Sequence, residues 1–319
     1  MRAWLYGVLR KPLSIAAIAI VVLLVAGELL SPGFVSARQL VTLLKVAALL
    51  GVVAAGQNLV VLGGREGIDL SVGGILSFTA FLAGNLMHQQ DALLAQSILL
   101  VLGVGLATGL LSGLGVTLLR IPPLVMTLGM LGVVQGGLVL LTRGVPSGRA
   151  APALTRIVNE PLLFGVPGIV FVWALIGLAL SLLLRRSTFG FNVYAIGANE
   201  AAAALAGVPV RRTRALLYAL SGFFAAAAGI LLLGYTEYVF VGAGDQYMLP
   251  SIIAVVIGGT SLAGGSGGYV GTMAGAIVLV LLQSILTTLN IPPFGRQVIY
   301  GLTLLALMLL YGRQRTLRA

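Results

Sequence analysis

Polar side chains are scarce in this 319-residue chain, so those that interrupt its apolar runs stand out. Gln57 and Asn58 sit side by side late in one run, Asp69 and Ser71 follow a glycine turn, and Thr79 and Gln135 stand within later runs. In hydrocarbon such groups cost free energy, so they line a pathway or pair with one another. Neutral amides and hydroxyls suit a neutral, hydroxyl-rich solute. They suit protons or metal ions poorly, because those need carboxylates or histidines at mid-membrane. Ser77, Asn85 and Gln283 each fit a helix-to-helix hydrogen bond. The turn Gly63-Gly64-Arg65-Glu66-Gly67-Ile68-Asp69-Leu70-Ser71 places Asp69 and Ser71 to cap the next helix or, on the functional reading, to act as an inner gate or substrate contact.

Other chemistries lack their residues. Cysteine is absent, which removes disulfides, thiolate catalysis and cysteine metal sites. The single histidine, His88, stands in a short polar turn and reads as a loop residue, so no catalytic or metal site is assigned. The glycine run Gly258–Gly268 lacks the Gly-Lys-Ser/Thr ending of a phosphate loop, and the chain has only two lysines, Lys11 and Lys45. It reads as a flexible turn. No basic patch carries interleaved aromatics, so nucleic acid is not an expected partner.

One polar segment is built differently. Asn199-Glu200-Ala201-Ala202-Ala203-Ala204-Leu205-Ala206 is closed by Gly207 and followed by Val208-Pro209. Asparagine at the N-cap, glutamate in the first turn, alanine throughout and glycine at the C-terminal cap are helix start and stop signals. Arg185 and Arg186 precede it and Arg211, Arg212 and Arg214 follow, so the segment 185–214 forms a basic loop between two long apolar spans. A capped helix on such a loop implies a docking partner.

The elements that position these groups are membrane helices. Apolar residues make up 59% of the chain and charged residues 8%, against about 25% charged in soluble domains. The mean hydropathy is +1.10. About 20 apolar residues cross a bilayer core. On that rule the spans are Leu13–Leu30, Leu40–Leu62, Leu70–Met87, Ala92–Leu119, Pro123–Thr142, Phe164–Leu184, Ala215–Leu233, Met248–Leu262, Val270–Leu289 and Val298–Tyr311. Met248–Leu262 is only about three-quarters of a normal span and is interrupted early by Pro250. Leu13–Leu30 reads as a retained signal anchor.

The expected fold is therefore an all-α polytopic membrane protein of about ten transmembrane helices, one permease-like domain over 1–319. With the N-terminus inside, thirteen cations fall on the inner side (Arg2, Arg10, Lys11, Arg65, Arg120, Arg185, Arg186, Arg211, Arg212, Arg214, Arg313, Arg315, Arg318). Five fall outside (Arg38, Arg143, Arg149, Arg156, Arg296). That bias puts both termini in the cytoplasm. Ten spans divide as an inverted 5+5 repeat, echoed by Ile121-Pro122-Pro123 and Ile291-Pro292-Pro293. Gly105, Gly109 and Gly113, with Gly271 and Gly275, mark faces for close helix packing, read as packing within one subunit.

Several blocks together resemble a known family. Gly67-Ile68-Asp69-Leu70-Ser71-Val72-Gly73 resembles the Gly-Ile-Asp-Leu-Ser-Val-Gly signature of ribose-type ATP-binding cassette (ABC) importer permeases, within the branched-chain amino acid and sugar permease superfamily. Thr188-Phe189-Gly190 with Tyr194–Ala202, Val255–Ser261 with Gly264-Gly265, and Thr127-Leu128-Gly129-Met130 are similar to further blocks of that family. The resemblance spans nearly the whole chain. It implies the inner-membrane subunit of a monosaccharide importer, itself without enzymatic activity and without a cofactor. ATP and Mg would sit on separate ATP-binding cassette subunits, and a soluble extracytoplasmic binding protein would deliver solute. A second permease copy or a paralogue would complete the pathway through the bilayer. Asn199–Gly207 becomes the coupling helix to the ATPase, and the outer loop 143–163 and the segment Gly234–Tyr247 become docking surfaces for the binding protein. Gln135 stands where many relatives carry arginine, and Arg65-Glu66 splits the usual glycine pair, so the solute is not copied from ribose importers. An amino acid or nucleoside importer of the same type and a self-contained secondary transporter are the alternatives.

Overall fold

The computed structural model describes residues 12–64, 67–143, 145, 147–240 and 242–316. Both chain ends, and with them Arg2, Arg10, Lys11 and Arg318, lie outside the described residues, as do Arg65 and Glu66 of the inner turn and the side chains of Arg313 and Arg315. The helices run α1 (Pro12–Leu30), α2 (Ala37–Leu62), α3 (Val72–Met87), α4 (Leu94–Thr117), α5 (Pro123–Thr142) and α6 (Pro152–Asn159). A small antiparallel hairpin follows, β1 (Pro161–Leu163) and β2 (Val166–Pro167). Then come α7 (Gly168–Arg186), α8 (Thr188–Ala198), α9 (Glu200–Leu205), α10 (Val210–Thr236), α11 (Asp245–Ile257), α12 (Tyr269–Thr288) and α13 (Pro293–Thr316).

Seven of these helices, α1, α2, α4, α5, α7, α10 and α12, are long and apolar enough to cross a membrane, and α3 and α11 are shorter apolar helices. The protein is thus an all-α polytopic membrane protein. Most expected spans shift at their ends, Ala215–Leu233 widening to Val210–Thr236 and Val298–Tyr311 to Pro293–Thr316, and two shifts have a local backbone cause. The sixth run does not start as helix at Phe164, because Phe164 (φ 53°) and Gly165 (φ 75°) both adopt left-handed backbone and turn the hairpin. The eighth covers Asp245–Ile257, not Met248–Leu262, because the chain turns at Gly258 and at Gly259 (φ 83°).

The core forms around α10 and α2, the most buried of the long helices, while α1 and α5 are the least covered. Glycine allows α10 to lie on α4. A Cβ on Gly222 would stand 2.8 Å from the Gly109 nitrogen, and one on Gly113 would stand 2.8 Å from the Ala215 Cα. On the other side, a Cβ on Gly275 would meet the Gly258 nitrogen at 2.9 Å, so α12 is pressed onto α11. Both glycine faces therefore pack within the chain, where close backbone approach gains dispersion contacts that lipid cannot match. Trp173 Nε1 donates to the Tyr269 hydroxyl (3.0 Å), which donates to the Gly51 carbonyl (2.8 Å), tying α7, α12 and α2. Each such bond contributes on the order of 1 kcal/mol. Near helix ends, Glu28 accepts from the backbone of Gly33 and Val35, and Lys45 lies over the Tyr235 ring.

Candidate functional site

The polar residues expected to line a pathway are mostly locked inside the subunit. Gln57, Asn58, Asp69, Ser71 and Thr79 are all fully buried. Asp69 sits in the turn between α2 and α3, outside both helices. Its Oδ1 accepts from the Ser71 backbone N–H and hydroxyl, and its Oδ2 accepts from the Ser221 hydroxyl on α10 at 2.7 Å. Burial pushes this carboxyl above the usual range, opposed by those bonds from Ser71 and Ser221. The expected caps on α3 are absent: Ser71 stands at the N-cap position in helical backbone and gives no side-chain cap. The carboxylate serves as a strut from the turn to α10 instead. Gln57, with its amide oriented to satisfy both groups, donates to the Asp69 carbonyl (3.0 Å) and accepts from its N–H (3.3 Å). Thr79 returns its hydroxyl to the Ile75 carbonyl.

Asn58 forms a matching tie to the other half of the chain. Its Nδ2 donates to the hydroxyls of Thr260 (2.8 Å) and Thr272 (2.9 Å). The glycine run 258–268 is therefore not a loose turn. Gly265 N–H donates to the Leu62 carbonyl (3.0 Å), Ser261 N–H to the Ser266 carbonyl (3.0 Å), and the Tyr194 hydroxyl to the Gly267 carbonyl (2.9 Å). Burial holds the Tyr194 phenol above its ordinary value, with Arg185 drawing it back.

These contacts bring the two glycine turns and the end of α8 into one joint. A Cβ on Gly64 would lie 2.9 Å from the Gly197 Cα, one on Gly264 would lie 2.7 Å from the Gly64 nitrogen, and one on Gly265 would lie 2.6 Å from the Ala198 nitrogen. Backbone rests on backbone with no side chain between. Gly64, Gly264 and Gly265 also carry φ of 72°, 86° and 72°, which favours glycine a second time. One turn precedes α3 and the other precedes α12, so α8 touches both parts of the bundle.

Immediately after the joint, Asn199 Oδ1 accepts from the Ala202 N–H at 3.0 Å and Gly207 (φ 82°) ends the turn. Both are the cap roles the sequence indicates. The helix α9 itself spans Glu200–Leu205, with Ala206 as its C-cap. Both Glu200 oxygens pair with the Arg214 guanidinium at 3.1 Å, fastening α9 to the start of α10. The alanines are not equivalent. Ala203 is buried against the chain, whereas Ala201, Ala202 and Ala204 face outward and Leu205 is 91% exposed. A nearly bare leucine beside small alanines makes an apolar knob on a capped helix.

Beside α9 opens a cleft of about 720 Å³, bordered by Gly63, Gly64, Gly67, Arg120, Pro122, Arg211 and Tyr218. Of the six pathway residues only Gln135 reaches an open face. It stands half-buried on α5 and its Nε2 donates to Asp245 Oδ1 at 3.4 Å. The sequence reading missed Asp245. Its one signal is a lone carboxylate opening a short apolar span. Arg214, counted among the surface cations, turns inward to Glu200.

Comparison with known proteins gives this arrangement a family. The family model for the branched-chain amino acid transport system permease component matches residues 39–308. The ribose import permease protein RbsC of Bacillus subtilis is 34% identical over 306 residues, covering 95% of this chain and 93% of the relative. Its Escherichia coli counterpart is 32% identical over 306 residues, covering 93% of each chain. The autoinducer 2 import system permease protein LsrC of Escherichia coli is 34% identical over 300 residues, covering 94% of this chain and 86% of the relative. No solved structure matches the chain. Matched across nearly its whole length, the chain belongs to the permease component family of branched-chain amino acid transport systems.

Proposed function

We propose that this chain is the membrane-spanning permease subunit of an ABC importer in the bacterial inner membrane, passing a monosaccharide or similar small hydroxyl-rich solute. The observation that carries the reading is the segment from Gly197 to Arg214. A capped helix with an outward leucine is seated by bare glycine backbone on turns from both parts of the bundle. An ATPase docked on that helix can move both turns at once. Relatives that import ribose and autoinducer 2 support the choice of solute. The family description leaves an amino acid as the second reading.

The import permease relatives support the assembly. Two cytoplasmic ATP-binding cassette subunits carry ATP and Mg, a soluble binding protein delivers the solute, and a second permease copy or paralogue pairs with this one. The bundle runs as ten spans in an inverted 5+5 repeat with both termini in the cytoplasm. The pairings support this: α10 on α4 answers α2 on α12, and the short α3 and α11 hold corresponding places. The excess of cations on the inner side supports the orientation.

Reconstitution tests the reading. Proteoliposomes holding the permease with the ATPase and binding protein encoded beside it should take up tritiated ribose or another pentose or hexose only with ATP. Solute movement by the purified permease alone would exclude it, and a binding protein that retains only amino acids would favour the second reading.

A further inference from the structure

We infer that Gln135 and Asp245 contact the hydroxyl groups of a neutral, polyhydroxylated solute as it crosses the membrane. The inference rests on the permease reading and names the residues that meet its solute. Gln135 is seven residues before the end of the 20-residue helix α5. At 1.5 Å per residue that places it about 10 Å below the Thr142 end. Asp245 opens α11, a helix of 13 residues, and meets Gln135 at that depth. The first turn of α11 therefore starts well inside the layer that α5 spans. The start of α3 is held there too, since the Ser77 hydroxyl accepts from the Gly244 N–H at 2.8 Å.

The pair faces open space. Asp245 is exposed, and a Cβ added to Gly132 or Gly136 would find no atom within 4 Å. A carboxylate at this depth is costly against lipid, and such groups face water-filled cavities or protein. The surrounding glycines leave room for a solute beside it.

The unused hydrogen-bonding capacity defines the ligand. Asp245 Oδ1 is engaged by Gln135, but among the described residues Asp245 Oδ2, Gln135 Oε1 and the second amide N–H have no partner. Two acceptors and one donor side by side match adjacent hydroxyls, each of which donates and accepts. Among the described residues no Lys or Arg pairs with Asp245, so the site presents a carboxylate, which disfavours an anionic solute. The other five pathway residues are fully buried.

The test uses the reconstituted importer with ATPase and binding protein, fed tritiated ribose, arabinose, xylose or glucose and then the deoxy form of whichever sugar is carried. Asp245→Ala and Gln135→Leu should each lower uptake about tenfold and shrink the preference for the sugar over its deoxy form, because a site built to bond a hydroxyl rejects the analogue lacking it. Asp245→Asn, keeping one acceptor, should recover part of both. Co-purification of the ATPase establishes that each variant is assembled. Wild-type uptake and preference in both variants would overturn the assignment, as would uptake lost with preference unchanged, the mark of a structural role. Absence of any ATP-driven sugar uptake by the wild-type importer would instead overturn the permease reading and this inference with it.

Discussion

Replacing Gly197 with alanine puts one methyl group into the joint between α8 and the two inner turns. On the existing backbone the new Cβ falls on the Leu62 carbonyl oxygen and 2.9 Å from the Gly265 Cα. Carbon atoms settle at roughly 3.5–4.0 Å. The turns must therefore part by at least about 0.6 Å at Gly265 and by more at Leu62, where the Gly265 N–H bond is seated. Overpacking of this kind costs about 1–3 kcal/mol, and weakening one buried backbone hydrogen bond adds about 1 kcal/mol. Opposing this, alanine is favoured over glycine inside a helix by about 0.8–1 kcal/mol. The steric terms win, leaving a net cost of about 1–3 kcal/mol and a fall in the seated arrangement of roughly fivefold to 150-fold. In proteoliposomes holding the whole importer, ATP hydrolysis should persist while solute taken up per ATP falls at least about fivefold. Tyr194→Phe, which removes the 2.9 Å bond to Gly267 without adding volume, should give a milder loss. Gly197→Ala with wild-type uptake per ATP would refute the view that α8 acts through this glycine joint.

Two further substitutions probe separate parts of the molecule. Leu205→Asp places a charge on the 91% exposed knob of α9 and should reduce ATPase co-purification about tenfold while membrane insertion is kept; undiminished co-purification would remove α9 as the docking element. Ser221→Ala removes the 2.7 Å hydrogen bond to the buried Asp69 carboxyl, an interaction expected to be worth about 1.5–3 kcal/mol, so the unfolding temperature in detergent should drop clearly. Asp69→Ala should drop it further by leaving Ser71 and Ser221 donors unsatisfied, and a Ser221→Ala protein as stable as wild type would rule out the strut.

Membrane class, the apolar runs and the caps of the polar helix were legible in the residues, because each depends on local chemistry. Twenty apolar residues demand a bilayer wherever they occur, and Asn199 and Gly207 satisfy or end the helix beside them. The glycine spacing on α4 and α12 likewise announced close packing. What the spacing left open was direction. Sequence treats Ala203 and Ala204 alike, yet one is buried and the other exposed, because α9 lies on its neighbours at one angle only. The amides and hydroxyls at Gln57, Asn58, Asp69, Ser71 and Thr79 looked equally suited to a pathway or to pairing. Only the tertiary structure decided for pairing, by bringing Ser221, Thr260 and Thr272 from far along the chain to meet Asp69 and Asn58. The Gly258–Gly268 run looked loose because its partners, Leu62 and Tyr194, are distant in sequence. The same holds for Gln135 and Asp245, 110 positions apart, which meet only because the first turn of α11 lies beside α5. Local composition sets which segments are apolar enough for lipid; long-range packing sets which polar groups they spend on one another and which stay open.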